Sequence, residues 1–281
     1  MSANSKVFLV TGSAWGLGLA IVDAALTAGH TVVATARDVS ALEATYGHRD
    51  GVAFLSLDVT DATAAQGAVE FATSRFGRVD VLVNCAGISR LAAAEDATLD
   101  DIRGQIDVNF FGSMNLTKAV LPLFREQGSG HILQISSVGD RLAGAGMSGY
   151  QASKWAITAF SLAVAAEVAP LGVKVTVVEP GAMRLPGAPS SMVIGEISPP
   201  YEPTVGARAR RKPPEGSASL PSTVADLLIR VVDMPEPPLR LLVGRDAVEA
   251  AQRAADSLAE MDQRWRTLSL LDVAPGRSGD K

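Results

Sequence analysis

Tyr150 and Lys154 stand four residues apart at the head of an alanine-rich stretch, so a helix there brings both to one face. A lysine ammonium beside a phenol favours the phenolate and lowers the tyrosine pKa. Such a tyrosine can exchange a proton with a carbonyl or hydroxyl group near neutral pH. The plain alternative is a Tyr–Lys pair on an exposed helix face. Upstream, the run His131–Ser136 is followed by Ser137. A hydroxyl at the carboxyl end of a buried parallel strand faces the crevice where ligands bind, although turn and cap chemistry is the commoner use of serine.

A second constellation lies near the start. The apolar run Val7–Val10 leads into Thr11-Gly12-Ser13-Ala14-Trp15-Gly16-Leu17-Gly18, and a helical pattern follows. Glycines let backbone approach a pyrophosphate closely, and a helix N-terminus offers free N–H groups and a favourable dipole. The spacing is Gly-x3-Gly-x-Gly rather than the usual dinucleotide fingerprint, and a tight strand–helix turn would use the same residues. Placement after the first strand favours nucleotide binding. The second apolar run closes on Ala36-Arg37-Asp38. Ala36 cannot bond a ribose 2′-hydroxyl, whereas Arg37 can pair with a 2′-phosphate. This contrast favours NADP(H) over NAD(H). Asp38 is the counter-argument unless it caps the next helix, and Arg37 unless it is a solvated loop residue.

The elements that must position these groups alternate. Strands are predicted at Val7–Val10, Thr31–Ala36, Val52–Ser56, Val79–Asn84, His131–Ser136 and Lys174–Glu179. Helices are predicted at Leu17–Ala28, Ala62–Phe76 and Tyr150–Ala169. Strands that are apolar almost throughout suit a parallel sheet buried on both faces, and the alternation predicts an open, doubly wound α/β sheet of Rossmann type. The pattern breaks over Pro180–Pro221, a Pro- and Gly-containing stretch with the basic run Arg208–Lys212. A connection this long is usually functional or disordered. A helix near Ser222–Val232, a strand Arg240–Val243 and an amphipathic helix Ala247–Leu268 follow, before a tail at Ala274–Lys281. The expectation is one domain over 1–281, with a substrate-side lid at 183–221 and a C-terminal extension at 245–281.

At this point the chain resembles the short-chain dehydrogenase/reductase family. The residues carrying the resemblance are Thr11-Gly12-x3-Gly16-x-Gly18, Asp58-Val59, Asn84-Cys85-Ala86-Gly87, Asn109, Ser137, Tyr150-x3-Lys154 and Pro180-Gly181, in order over roughly residues 6–183. The resemblance implies an NAD(P)-dependent oxidoreductase interconverting a ketone and a secondary alcohol. Tyr150 would be the acid or base. Lys154 would tune it and hold the nicotinamide ribose, Ser137 would bond the substrate oxygen, and Asn109 would hold a water linking Lys154 to solvent. Asp58 would meet the adenine amino group, with Val59 against the ring. Asn84, Ala86 and Gly87 would line the middle of the cofactor, and Pro180, Gly181 and Met183 would border the nicotinamide. Gly12, Ser13, Trp15, Gly16, Leu17 and Gly18 complete the cofactor set. Three positions depart from the family pattern: Cys85 where asparagine is commoner, Trp15 in the phosphate loop, and no threonine after Pro180-Gly181.

Composition narrows the alternatives. In 281 residues there are 25 Lys and Arg against 30 Asp and Glu, a net charge of −5, so a basic nucleic-acid surface over the whole protein is not expected. One cysteine excludes a disulfide framework, and His30, His48 and His131 lack metal-ligand spacing. No stretch reads as a signal peptide or membrane span, and a cytoplasmic protein is the expectation. Met192, Val193, Ile194 and Tyr201, with Leu142 and Met147, predict an apolar pocket for a hydrophobic small-molecule substrate, unless they only pack the lid. The family resemblance implies a homodimer or homotetramer through helices around Leu99–Gln127 and Tyr150–Ala169. The runner-up functions are an NAD-linked alcohol dehydrogenase and a catalytically silent nucleotide sensor that keeps the fold.

Overall fold

The computed structural model describes residues 5–47, 49–184, 192–211 and 218–270. The expectations at His48, Lys212 and the tail, and parts of the 183–221 segment, fall outside these residues.

Among the described residues nine strands form: β1 (Val7–Val10), β2 (Thr31–Ala36), β3 (Val52–Ser56), β4 (Val81–Asn84), β5 (Ser89–Leu91), β6 (Gly130–Ile135), β7 (Val173–Pro180), β8 (Met192–Ile194) and β9 (Arg240–Val243). Seven of them make one parallel sheet in the order β3-β2-β1-β4-β6-β7-β9. The order reverses at β1, and a crevice opens at the carboxyl ends of β1 and β4, the place where such sheets bind ligands. Strands β5 and β8 pair apart from it. No sequence signal announced them, because three residues are too few to show a period.

Among the described residues nine α-helices accompany the strands: α1 (Gly16–Thr27), α2 (Ser40–Tyr46), α3 (Ala62–Phe76), α4 (Leu99–Ile106), α5 (Ser113–Gln127), α6 (Ser148–Val168), α7 (Ala207–Ala209), α8 (Pro221–Val232) and α9 (Arg245–Ser269). Strand alternation sends residues to two cores. Phe8, Val10, Val81 and Val83 pack with α1 and α8 on one face. Leu9 and Leu82 pack with α3, α5 and α6 on the other. Asp61 starts α3 by accepting from the Thr63 and Ala64 amides, and Thr98 starts α4 by accepting from Asp101.

The helical run expected over Leu99–Gln127 is interrupted by a π-helical turn at Asp107–Gly112 that carries Asn109. Helix α6 and the turn after it form a 24-residue apolar stretch, Ser148–Leu171, long and apolar enough to cross a membrane. That corrects the expectation that no such stretch exists. Its face carries Tyr150 and the buried Lys154, and it lies against β7 and α4.

Candidate active site

Three segments converge on the crevice. The first is the loop from β1 to α1. Gly12 has φ +68°, and a Cβ there would lie 2.7 Å from Ala86 Cα. At Gly18 a Cβ would collide with the Gly12 carbonyl oxygen. The loop thus packs on itself and on the end of β4 as only glycine allows. Thr11 fastens this junction: its hydroxyl donates to Val83 O and accepts from the Cys85 and Ala86 amides at 3.0 and 3.1 Å. Sequence reasoning quoted Thr11 but gave it no task. Its position directly before Gly12 was the available signal.

The second segment follows β4. Ala86, Gly87 and Ile88 line the crevice together with Cys85, whose thiol burial pushes up to about 12. Gly87 leaves room beside Asn109 Oδ1 and Lys154 Nζ, at 3.2 and 3.7 Å from where a Cβ would stand. Asn109 is fully buried. It accepts from Ile88 N at 2.8 Å and donates to Ile88 O and Ser153 Oγ, both at 2.9 Å. Its side chain therefore clamps the β4–β5 connection, and none of its side-chain bonds reaches Lys154.

The third segment is the end of β6 with α6. Ser136 is turned inward and bonds Asp140 Oδ2 and Thr158 Oγ1, both at 2.8 Å. Ser137 caps a short turn, Val138–Asp140, accepting from Gly139 N at 3.0 Å. That bond leaves its hydroxyl proton free to donate. The Trp155 indole pins the same turn to α6 through Gly139 O at 3.1 Å. Tyr150 and Lys154 face the crevice one helical turn apart, with Nζ 5.8 Å from the ring centre and donating to Ile135 O at 2.9 Å.

The electrostatics differ from expectation. Burial pushes the Tyr150 phenol above its ordinary value; the neighbouring Ser137 hydroxyl pulls it down and Asp140 pushes it up further. Burial depresses Lys154 to about 8. The expected net lowering of Tyr150 beside Lys154 is not found, because burial of the phenol outweighs what lowers it.

The crevice, about 180 Å³, is bordered by Gly12, Trp15, Gly16, Leu17 and Gly18, by Ser136, Tyr150 and Lys154, and by Met183; Ser137 is not part of this lining. Other expected residues stand elsewhere. Ser13 is buried, its amide bonded to Thr35 O and its hydroxyl to Val10 O, both at 2.9 Å, so the side chain cannot reach a ligand. Asn84 shares Leu82's side of the sheet. It points away from the crevice to Ser113 O, Thr117 and Gln134. Val59 is buried beneath Gly112. Asp58 and Arg37 are exposed neighbours outside the crevice lining, and Asp58 Oδ1 takes the Thr60 amide and hydroxyl at 2.9 and 2.7 Å. Asp38 accepts from Ser40 N at 2.9 Å at the start of α2. Pro180 ends β7, and Gly181 donates to Val243 O at 3.0 Å. The Ala182 amide is held by Asp246 Oδ2 at 2.7 Å, a contact from 64 residues away that no local pattern indicates.

An apolar cluster packs against Tyr150. Leu91, Ala93, Met147 and Val205 form a buried cluster against which Tyr150, Met192 and Tyr201 pack. Val193 and Ile194 are instead more than half exposed, and Leu142 is no member of the cluster.

The glycine cradle, the crevice at the switch point and the Tyr–Lys pair fit a nicotinamide dinucleotide. The model of the short chain dehydrogenase family matches residues 6–190. Oxidoreductase BOA17 of Botryotinia fuckeliana is 46% identical over 271 residues, covering 95% of this chain and 98% of that protein. A short-chain dehydrogenase from Streptomyces avermitilis superposes with TM-score 0.90 at 38% identity, over 96% of this chain and 98% of that one. Two more distant structures are each 26% identical with TM-score 0.73. A 3-ketoacyl-(acyl-carrier-protein) reductase from Brucella melitensis, complexed with NADH, is matched over 98% of its length and 86% of this chain. The closed form of serine dehydrogenase, complexed with NADP+, is matched over 94% of its length and 85% of this chain. The chain belongs to the short-chain dehydrogenase family and is an NAD(P)-dependent oxidoreductase.

Proposed function

We propose that the enzyme interconverts a ketone and a secondary alcohol of hydrophobic character, with NADP(H) as the preferred cofactor. The observation that carries this reading is the meeting of Tyr150 with the Ser137 hydroxyl and with Lys154 at the end of β6, where Tyr150 and Lys154 line the crevice together with the glycine loop.

The nicotinamide supplies or accepts a hydride when bound. In the reductive direction the substrate oxygen gains charge. Ser137 donates its free hydroxyl proton to that oxygen and the Tyr150 phenol transfers one to it. A phenol held high by burial is protonated at neutral pH and suited to act as the acid. In the oxidative direction the same phenol must first lose its proton, and Lys154 assists by presenting its ammonium. Asn109 fixes the Ile88 backbone and, through Ser153, the first turn of α6; a water beside it would return protons to Lys154. Arg37, with Ala36 before it and Asp38 engaged by Ser40, favours a 2′-phosphate. The cluster around Tyr150 favours an aryl, alicyclic or long-chain ketone.

The test is NADPH or NADH consumption with aryl and alicyclic ketones, with Tyr150→Phe as control and Arg37→Asp for cofactor choice. NADPH turnover that is lost in Tyr150→Phe, with the preference moved toward NADH in Arg37→Asp, is expected. A cofactor ratio unchanged by Arg37→Asp would remove the NADP(H) argument, and polar sugars outperforming every apolar ketone would remove the hydrophobic one.

A further inference from the structure

The turn that carries Ser137 rests on a buried carboxylate to which the proposed chemistry gives no task. Asp140 closes the turn Val138–Asp140 and is 4% exposed. Its amide donates to Ser137 O at 2.9 Å. Three donors converge on its carboxylate: the Ser136 hydroxyl at 2.8 Å and the Thr158 hydroxyl at 2.5 Å on Oδ2, and the Arg240 guanidinium at 3.1 Å on Oδ1. Such a donor set suits the ionised form. Thr158 lies four residues beyond Lys154, as Lys154 lies four beyond Tyr150, so one face of α6 presents all three. Arg240 on β9 also pairs with the fully buried Glu179, the residue before Pro180-Gly181. One network therefore ties the Ser137 turn to α6, to β9 and to the end of β7.

An anion fixed there acts on the reacting groups through space. The ionisable and polar groups around Tyr150 are Lys154 on α6, Ser137 and Asp140 on the turn after β6, and Cys85 just after β4, whose thiol burial keeps neutral. The apolar cluster offers Leu91, Ala93, Met147 and Val205, which do not titrate, and Tyr201, whose hydroxyl donates to Glu95. Among the described residues Asp140 is thus the carboxylate that bears on Tyr150. It pushes the phenol up, and it also raises Lys154 against the desolvation that depresses it. Both effects favour the proton-bearing forms. Arg141 on the same turn is occupied by Glu179, so of the two arginines Arg240 is the one that contacts Asp140 and offsets its charge.

We propose that Asp140 is a positioning residue for the reaction: its buried carboxylate fixes the Ser137 turn against α6 and keeps Tyr150 and Lys154 proton-bearing, with Arg240 as the counter-ion. The proposal rests on the reading of Tyr150 as the acid, and its first test needs neither substrate nor cofactor. The chain has three tyrosines, so tyrosine labelled with carbon-13 at Cζ gives three NMR signals, and Tyr150→Phe assigns the relevant one. The full chain is titrated from roughly pH 8 to 12, the range in which tyrosine ionises. Asp140→Asn keeps the shape and removes the charge, and its Tyr150 midpoint is expected to fall by at least about half a pH unit. Asp140→Glu restores the charge and is expected to return the midpoint toward native. Arg240→Met keeps the anion and removes its counter-ion, and its midpoint is expected to rise. A loosened structure would admit water and lower the midpoint in both variants, so movement in opposite directions separates charge from packing. Circular dichroism checks that each variant is folded. In alcohol oxidation the rising limb of kcat against pH is expected to move to lower pH in Asp140→Asn by the same interval. A Tyr150 midpoint unchanged in Asp140→Asn, or lowered in both Asp140→Asn and Arg240→Met, overturns the proposal while the acid–base reading stands if Tyr150→Phe is inactive. Native turnover by Tyr150→Phe overturns that reading and the proposal with it, even where the midpoints move as expected.

Discussion

Replacing Arg240 by methionine isolates a charge network directly under the active-site turn. Glu179 is fully buried and Asp140 is 4% exposed. Arg240 bridges both, contacting Asp140 Oδ1 at 3.1 Å and pairing with Glu179, which Arg141 also holds at 2.6 Å. Removing one member of a buried charge set costs about 3–5 kcal/mol, because the partners remain desolvated. Arg141 still serves Glu179, so the lower figure applies, and a melting temperature lower by roughly 6–12 °C is expected. The loss carries a pH signature. Asp140 already sits above the ordinary carboxylate value, through burial first, with its hydroxyl partners and Arg240 opposing. A carboxyl held high when folded contributes stability that is present below its unfolded pKa and lost as pH rises through its folded pKa. Without Arg240 the folded value climbs further, and each added unit costs about 1.4 kcal/mol at neutral pH. The deficit of Arg240→Met relative to native should therefore be larger at pH 7.5 than at pH 5. Differential scanning fluorimetry at both values measures it. A deficit equal at the two pH values, or a shift under roughly 2 °C at pH 7.5, would refute the reasoning.

Other predictions follow from the site. Lys154→Met should abolish turnover yet stabilise the cofactor-free protein at pH 7 by up to about 3 kcal/mol, since burial lowers this lysine from 10.5 to about 8. A lysine depressed on folding makes stability rise with pH between those values. Urea titrations from pH 7 to 10 should show that rise in the native chain and not in the variant. Gly18→Ala, whose Cβ meets the Gly12 carbonyl, should weaken cofactor binding at least about tenfold, equivalent to roughly 1.4 kcal/mol, in a fluorescence titration. Asp246→Ala removes the acceptor of the Ala182 amide. It should raise the KM for cofactor more than it lowers kcat, as expected if Asp246 only shapes the loop that follows β7.

The sheet was legible because parallel strands are short, apolar and bounded by turns. β1, β2, β3 and helix α3 lie at their expected limits, while β4 begins two residues late, at Val81. The glycine loop and Tyr150-x3-Lys154 were legible because their chemistry needs fixed local spacing. Directions were less so. Ser13 and Asn84 belong to the motif, yet sheet alternation and the tight loop turn their side chains inward. The Tyr150 shift depends on burial, which spacing does not encode. Asp140 and Arg240 are a hundred residues apart, and only the placement of β9 beside β7 brings them together. The stripe of α9 was readable as amphipathic, but only the fold shows that, among the described residues, its outer half from Ala255 to Leu270 is exposed.

The central claim is that Tyr150, with Ser137 and Lys154, moves the proton that accompanies hydride transfer. The most direct measurement is single-turnover reduction of an apolar ketone by bound NADPH, comparing native protein with Tyr150→Phe after confirming equal cofactor affinity. The account predicts a rate lower by at least about a hundredfold, as expected for loss of a general acid, with NADPH binding intact. A Tyr150→Phe enzyme that reduces the ketone at the native rate would contradict it.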